Sequence, residues 1–169
     1  MPSSSDYAMA QEIERKFLVK GETYKALAFH YYRIQQGYIA SGNGRTVRVR
    51  IRDEQGFITI KGPSRDGGLS RYEFETEIAV GDARDLIQLC EPGIIDKTRY
   101  LVRSEDGHTF EVDEFHGEND GLVMAEVELK APDEPYEKPD FIGREVTGDR
   151  RYYNSHLRQY PFRLWMDSQ

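Results

Sequence analysis

Glu12-Ile13-Glu14-Arg15-Lys16-Phe17-Leu18-Val19 is the stretch on which the reading of this chain turns. Taken with a period of two, Ile13, Phe17 and Val19 share one face of an extended segment, while Glu12, Glu14 and Lys16 share the other. A strand that buries its apolar side therefore lines up two carboxylates and an ammonium, about 6–7 Å apart along the chain. Neighbouring carboxylates suit a hard divalent cation, and the lysine beside them suits an anion arriving with it. A solvated strand face of mixed Glu and Lys would look the same. The pattern gains meaning only if other strands repeat it.

Seven further segments read as strands: Tyr32 to Ile39, Thr46 to Arg52, Phe57 to Lys61, Ser70 to Ile78, Ile94 to Arg103, His108 to Phe115 and Leu122 to Lys130. All but the first of these carry an apolar face and a charged or polar one. Thr46 to Arg52 is the most regular, with Val47, Val49 and Ile51 on one side and Arg48, Arg50 and Arg52 on the other. Turns at Ser41-Gly42-Asn43-Gly44 and Asp53-Glu54-Gln55-Gly56 flank it, Gly and Asn supplying the positive φ that a tight hairpin needs. The charges sort by strand. Carboxylates sit at Glu73, Glu75 and Glu77, at Glu111 and Asp113, and at Glu126 and Glu128; cations sit at Arg48 and Arg50, at Lys61, and at Lys97 and Arg99.

Short helices are expected over Gly21 to His30 (Tyr24, Leu27 and Phe29 inward), from an N-cap at Asp82 to Cys90 (Leu86, Ile87 and Leu89 inward), around Phe141 to Glu145, and over Arg150 to Gln159 after a cap at Asp149. Residues 1–10 are Ser-rich and read as a disordered leader or a cloning remnant, with one domain over residues 11–169. That length is enough to bury a real core. A net charge of −7 argues against a protein that coats nucleic acid. No apolar run is long enough to span a membrane. The single cysteine, Cys90, excludes an internal disulfide and fits a reducing cytoplasm. The four histidines show no ligand spacing, so any metal would be held by oxygen.

Two architectures give this alternation. One is an open antiparallel sheet with helices on one side and water on the other. The other is a closed barrel whose charged faces turn inward, since eight strands leave room for a single small ligand. Like charges adjacent along a strand favour something of opposite sign between them. A lumen of this kind would need water, metal ions and a polyanion to balance it.

In its ordered motifs the chain resembles the CYTH domain, or triphosphate tunnel metalloenzyme, family. The motifs are E-x-E-x-K at Glu12, Glu14 and Lys16; QGYI at Gln36 to Ile39; R-x-R at Arg48 and Arg50; IKG around Lys61; LSRYEFE from Leu69 to Glu75; KTRY from Lys97; E-x-D at Glu111 and Asp113; and AEVEL from Ala125. The resemblance runs from Glu12 to about Tyr160. It implies a β-dominated α+β fold: an eight-stranded antiparallel closed barrel, or tunnel, with a charged lumen and a few flanking helices. It also implies a triphosphate-containing small-molecule substrate and one or two Mg²⁺ or Mn²⁺ ions. Lys16, Arg48, Arg50, Lys61, Lys97 and Arg99 would bind phosphate, with Lys16 and Lys97 also catalytic. Glu12, Glu14, Glu73, Glu75, Asp113, Glu126 and Glu128 would hold metal, one ion neutralising the substrate and a second acidifying the attacking water. Short members of the family look like tripolyphosphatases, so hydrolysis of inorganic triphosphate is the first reading. An adenylyl cyclase of the same fold, a thiamine or nucleoside triphosphatase, and a non-catalytic polyphosphate-binding module are the alternatives. A homodimer is compatible with the family. Arg52 and Glu77 read as rim residues, Glu111 as either, Tyr38 and Tyr100 as packing aromatics, Cys90 as structural, and Arg15 as a surface partner.

Overall fold

The structure is a computed structural model that describes residues 13–65 and 70–165. The leader, Glu12 and the start of the LSRYEFE motif at Leu69 lie outside the described residues. In chain order the elements are β1 (Ile13–Val19), α1 (Thr23–Leu27), β2 (His30–Gly42), β3 (Arg45–Arg52), β4 (Gln55–Arg65), β5 (Ser70–Ile78), α2 (Val80–Ile87), β6 (Ile95–Arg103), β7 (Thr109–Phe115), β8 (Val123–Leu129), β9 (Ile142–Glu145) and α3 (Asn154–Gln159). Short 3-10 turns follow β7 and flank α3. Two compact units divide this set: residues 34–94, and residues 13–33 together with 95–165. No described helix is long and apolar enough to cross a membrane.

The first unit is an antiparallel array in the order β5-β4-β3-β2. Asn43 and Gly44 take positive φ at the β2–β3 hairpin, as a tight turn needs, and Asp53 does so at the β3–β4 turn. The apolar side carries Val49 and Ile51, onto which α2 lays Ala83, with Ile58, Ile78, Leu86 and Cys90 around them. Helix and strand approach so closely here that a Cβ on Gly56 would lie 2.6 Å from that of Ala83. The helix differs from expectation. It starts at Val80 rather than after an Asp82 cap, and Asp82 instead sits in the first turn, where a carboxylate favours the helix dipole. Because the helix ends at Ile87, Leu89 falls beyond it and is 68% exposed; Ala83 is the buried contact.

The second unit runs β6-β7-β8-β1-β9, again antiparallel. Phe17, Val102, Phe110, Val112, Ala125 and Val127 form its apolar face, closed over by Tyr24 of α1 and by Phe141 and Tyr136. Helix α1 is little more than one turn, so it buries Tyr24 alone, and Leu27 and Phe29 stay exposed. The helix expected over Phe141 to Glu145 is instead strand β9. Its Ile142 pairs with Val19 and its Glu145 with Phe17, which satisfies the free edge of β1. Arg15 meets Glu145 at 3.0 Å, as a surface partner should. The last expected helix breaks in two. Asp149 caps a 3-10 turn by accepting from the Arg151 amide, and α3 begins only after Tyr153.

The β-dominated antiparallel class with few helices is as expected. Among the described residues there are nine strands rather than eight, because the segment expected to be helical at Ile142–Glu145 pairs with β1 instead. Within their own units β5 and β9 each pair on one side.

Candidate active site

Each unit gathers its charges on the sheet face opposite its apolar one. In the second unit the register fixes the rows. Lys97 lies opposite Phe115 and Arg99 opposite Asp113, and Glu111, Glu126 and Lys16 follow one another across β7, β8 and β1. Glu14 lies opposite Glu128. Residues directly paired across a ladder point to the same side, so Glu14, Lys16, Lys97, Arg99, Glu111, Asp113, Glu126 and Glu128 share one face.

The centre of that face is buried. Lys97 is 1% exposed and Asp113 3%. The Lys97 Nζ donates to Asp113 Oδ2 at 2.8 Å. Arg99 grips the same carboxylate with two parallel bonds, Nε to Oδ1 at 2.8 Å and Nη2 to Oδ2 at 2.9 Å, and its Nη1 reaches Glu111 Oε2 at 2.8 Å. Burial by itself pushes the Asp113 carboxyl up, but Lys97 and Arg99 together overcome it and hold the group well below the usual carboxylate range. Burial likewise opposes the charge on Arg99, and Asp113 and Glu111 more than restore it. Glu111 moves the other way: burial raises it, Arg99 opposes, and Asp113 and Glu126 push it further up. Asp113 thus fixes two cations, and an ion drawing on its oxygens would have to compete with both.

Lys16 stands 3.7 Å from Glu126 and lies 4.5 Å above the Tyr153 ring. Its backbone amide donates to Thr147 Oγ1. Glu14, Lys16, Thr147, Gly148 and Tyr153 line a cavity of about 290 Å³. Further along the same face the charges give way to Ile95, Phe115 and Met124, against which Val146, Tyr152, Leu157 and Trp165 pack. The C-terminal segment therefore covers one end of this unit's charged face.

In the first unit the rows are Lys61 with Glu73; Tyr38, Arg48, Thr59 and Glu75; and Gln36, Arg50, Phe57 and Glu77. Arg48 Nη2 donates to Thr59 Oγ1 at 3.3 Å, and that hydroxyl donates to Glu75 Oε2 at 3.1 Å. Arg50 Nε donates to Gln36 Oε1 at 3.0 Å. Thr59 and Gln36 are as buried as Lys97, yet neither stands out by charge. Thr59 shows in the sequence as the residue sharing a face with Lys61, and Gln36 as the first residue of QGYI. Thr147 has no signal beyond its place near the chain's end, whereas Tyr153 lies in the Y-x-N-like stretch from Tyr152 to Leu157, where the sequence suggests only a helix face shared with Leu157.

The site residues expected from the sequence thus fall into two groups: Arg48, Arg50, Lys61, Glu73 and Glu75 in the first unit, and Glu14, Lys16, Lys97, Arg99, Asp113, Glu126 and Glu128 in the second. Glu12 lies outside the described residues. Among the described residues no three His, Cys, Asp or Glu side chains already converge tightly enough to hold an ion. The donor set nevertheless fits a hard divalent cation, because it is all oxygen and contains a directly opposed like pair, Glu14–Glu128. Opposed like charges are unfavourable until a cation lies between them.

A family model described as the CYTH domain matches residues 10–155. An inorganic triphosphatase of Acetivibrio thermocellus is 50% identical over 156 residues, spanning 92% of this chain and 97% of that protein. An inorganic triphosphatase of Nitrosomonas europaea is 37% identical over 150 residues, spanning 86% and 95%. Among solved structures, that of the inorganic triphosphatase NE1496 superposes with a TM-score of 0.67 at 32% identity, covering 89% of this chain and 95% of that one. The ordered motifs, the two charged sheet faces and these matches agree, and the chain belongs to the CYTH domain family.

Proposed function

We propose that this protein hydrolyses inorganic triphosphate to pyrophosphate and orthophosphate with the help of Mg²⁺ or Mn²⁺. In this reading residues 11–169 form one cytoplasmic domain whose strands close into a tunnel, and both charged faces line it. The observation that carries the proposal is the buried Lys97–Asp113 pair, its carboxylate also gripped by Arg99, on a face otherwise rich in carboxylates. Buried charge of this kind is costly as a stabilising device, and apolar residues of similar volume would serve as well or better. It is well suited to meeting a polyanion.

Lys97 and Arg99 are held by Asp113 before substrate arrives, so their charge is already oriented toward developing negative charge. Arg48, tied through Thr59 to Glu75, and Arg50, tied to Gln36, supply guanidiniums suited to bidentate phosphate contact. Lys61 and Lys16 act as point charges. Glu14, Glu126 and Glu128, with Glu73 and Glu75 from the first unit, are the carboxylates placed to hold metal, and Glu12 would join them. When bound, the metal neutralises phosphate charge and lowers the pKa of water. Phosphoryl transfer needs little more than positioning and neutralisation, which these side chains provide.

The test is product identification with Mg²⁺ or Mn²⁺ and either inorganic triphosphate or ATP. Orthophosphate and pyrophosphate released from triphosphate are expected. Cyclic AMP from ATP would replace this reading with the cyclase, and binding without turnover would replace it with a polyphosphate-binding module.

A further inference from the structure

We infer that Gln36 is a substrate-binding residue: a neutral donor that presents its amide NH₂ to a phosphate oxygen while fixing Arg50 beside it. The inference rests on the triphosphate reading above and adds to it a residue that charge-based reasoning passes over. Gln36 pairs in register with Arg50 across β2 and β3, so its side chain emerges on the cationic face of the first unit. It is 1% exposed. Its Oε1 accepts from Arg50 Nε at 3.0 Å, which settles the orientation of the amide, because the flipped form would set two donors against each other. The Nε2 group, buried with it, has no hydrogen-bond partner among the described residues.

A buried amide donor without an acceptor is costly, so native proteins rarely keep one without a reason. The next row supplies that reason. Arg48, two residues from Arg50 on the same strand face, also has a buried Nε without an acceptor. Two adjacent rows of this face therefore hold donors in excess of acceptors. The chemistry that balances such an excess is a multidentate oxyanion, which an inorganic triphosphate is. A neutral donor also suits its place, since a third cation beside Arg48 and Arg50 would add repulsion before the substrate arrives.

Two variants separate binding from structure. Gln36→Glu keeps an oxygen for Arg50 Nε but removes the donor; Gln36→Met removes both polar atoms at similar size. Affinity for inorganic triphosphate is measured by calorimetry with Mn²⁺ present, alongside the thermal midpoint without ligand and the KM and kcat of turnover. Loss of a donor to a charged group is expected to weaken binding about tenfold or more in both variants. KM should rise correspondingly, with kcat within a few-fold of wild type and Gln36→Glu folding as well as wild type. If both variants bind triphosphate within twofold of wild type, the inference is overturned while the triphosphatase reading stands. If wild-type protein itself neither binds nor hydrolyses triphosphate, the reading falls and the inference with it.

Discussion

Replacing Asp113 by Asn should be among the most damaging single changes on the charged face. Asp113 accepts from Lys97 at 2.8 Å and from Arg99 at 2.8 and 2.9 Å, and the Asp113 and Lys97 side chains are almost wholly removed from water. Losing the carboxylate leaves the Lys97 ammonium buried without this counter-charge, a situation that costs about 3–5 kcal/mol. For a chain of this size each kcal/mol moves the thermal midpoint by about 2–4 °C, so a fall of roughly 6–20 °C is expected. Lys97→Met should cost less, since it removes the buried cation while Asp113 keeps its two bonds to Arg99. The double variant should recover about 0.5–3 kcal/mol relative to the sum of the singles. The assay is thermal and urea unfolding without substrate or metal, so that stability is read apart from turnover. A loss below about 1 kcal/mol for Asp113→Asn, or strict additivity in the cycle, would show that the two side chains do not depend on each other. The pH dependence follows the same logic. The Asp113 carboxyl is held below its unfolded value, so its contribution is present above about pH 4 and is lost as the pH falls further, a loss the Asn variant should not share.

Three further predictions rest on other parts of the molecule. His108 lies 2.9 Å from both Glu134 and Asp106, and its folded pKa is raised first by Glu134 and then by Asp106. Its contribution should be full below about pH 6.5 and vanish as the pH rises through the higher folded value, so the thermal midpoints of wild type and His108→Gln should converge toward alkaline pH; a gap independent of pH would contradict this. Gly56→Ala should cost about 1–3 kcal/mol in urea unfolding, because the new methyl meets Ala83 of α2 at 2.6 Å; a loss within experimental error would mean that the helix yields freely. Glu128→Gln removes the like charge opposite Glu14 and should stabilise the metal-free protein by about 0.2–1 kcal/mol while raising the Mn²⁺ concentration needed for activity; an unchanged Mn²⁺ dependence would remove Glu128 from the metal set.

Much of the fold was legible because half-buried strands write their two faces in alternate letters. Arg48 and Arg50 against Val47, Val49 and Ile51 is a pattern that tertiary packing could not easily reverse. Legibility failed where an element's partner lay far away in sequence. Ile142 to Glu145 is a strand only because β1 offers an edge, and Leu27 and Leu89 are exposed because helices one or two turns long end at the first and before the second. At the site, the charged residues were legible by type and spacing. What they do to one another was not: the capture of Asp113 by two cations and the burial of Lys97 depend on the register of β6 with β7, and the packing of Phe115 depends on the C-terminal segment. Gln36 and Thr59 could be placed on their strands but not singled out, because an uncharged polar residue on a strand is ordinary until its burial is known.

A crystal structure with inorganic triphosphate and Mn²⁺ is the decisive measurement, because the metal's anomalous signal locates it independently of the protein. One triphosphate touching Lys97 and Arg99 as well as Arg48 and Arg50 is expected, with Mn²⁺ against glutamates of the same faces. Triphosphate bound on the outer surface, or touching the cations of one unit only, would contradict it.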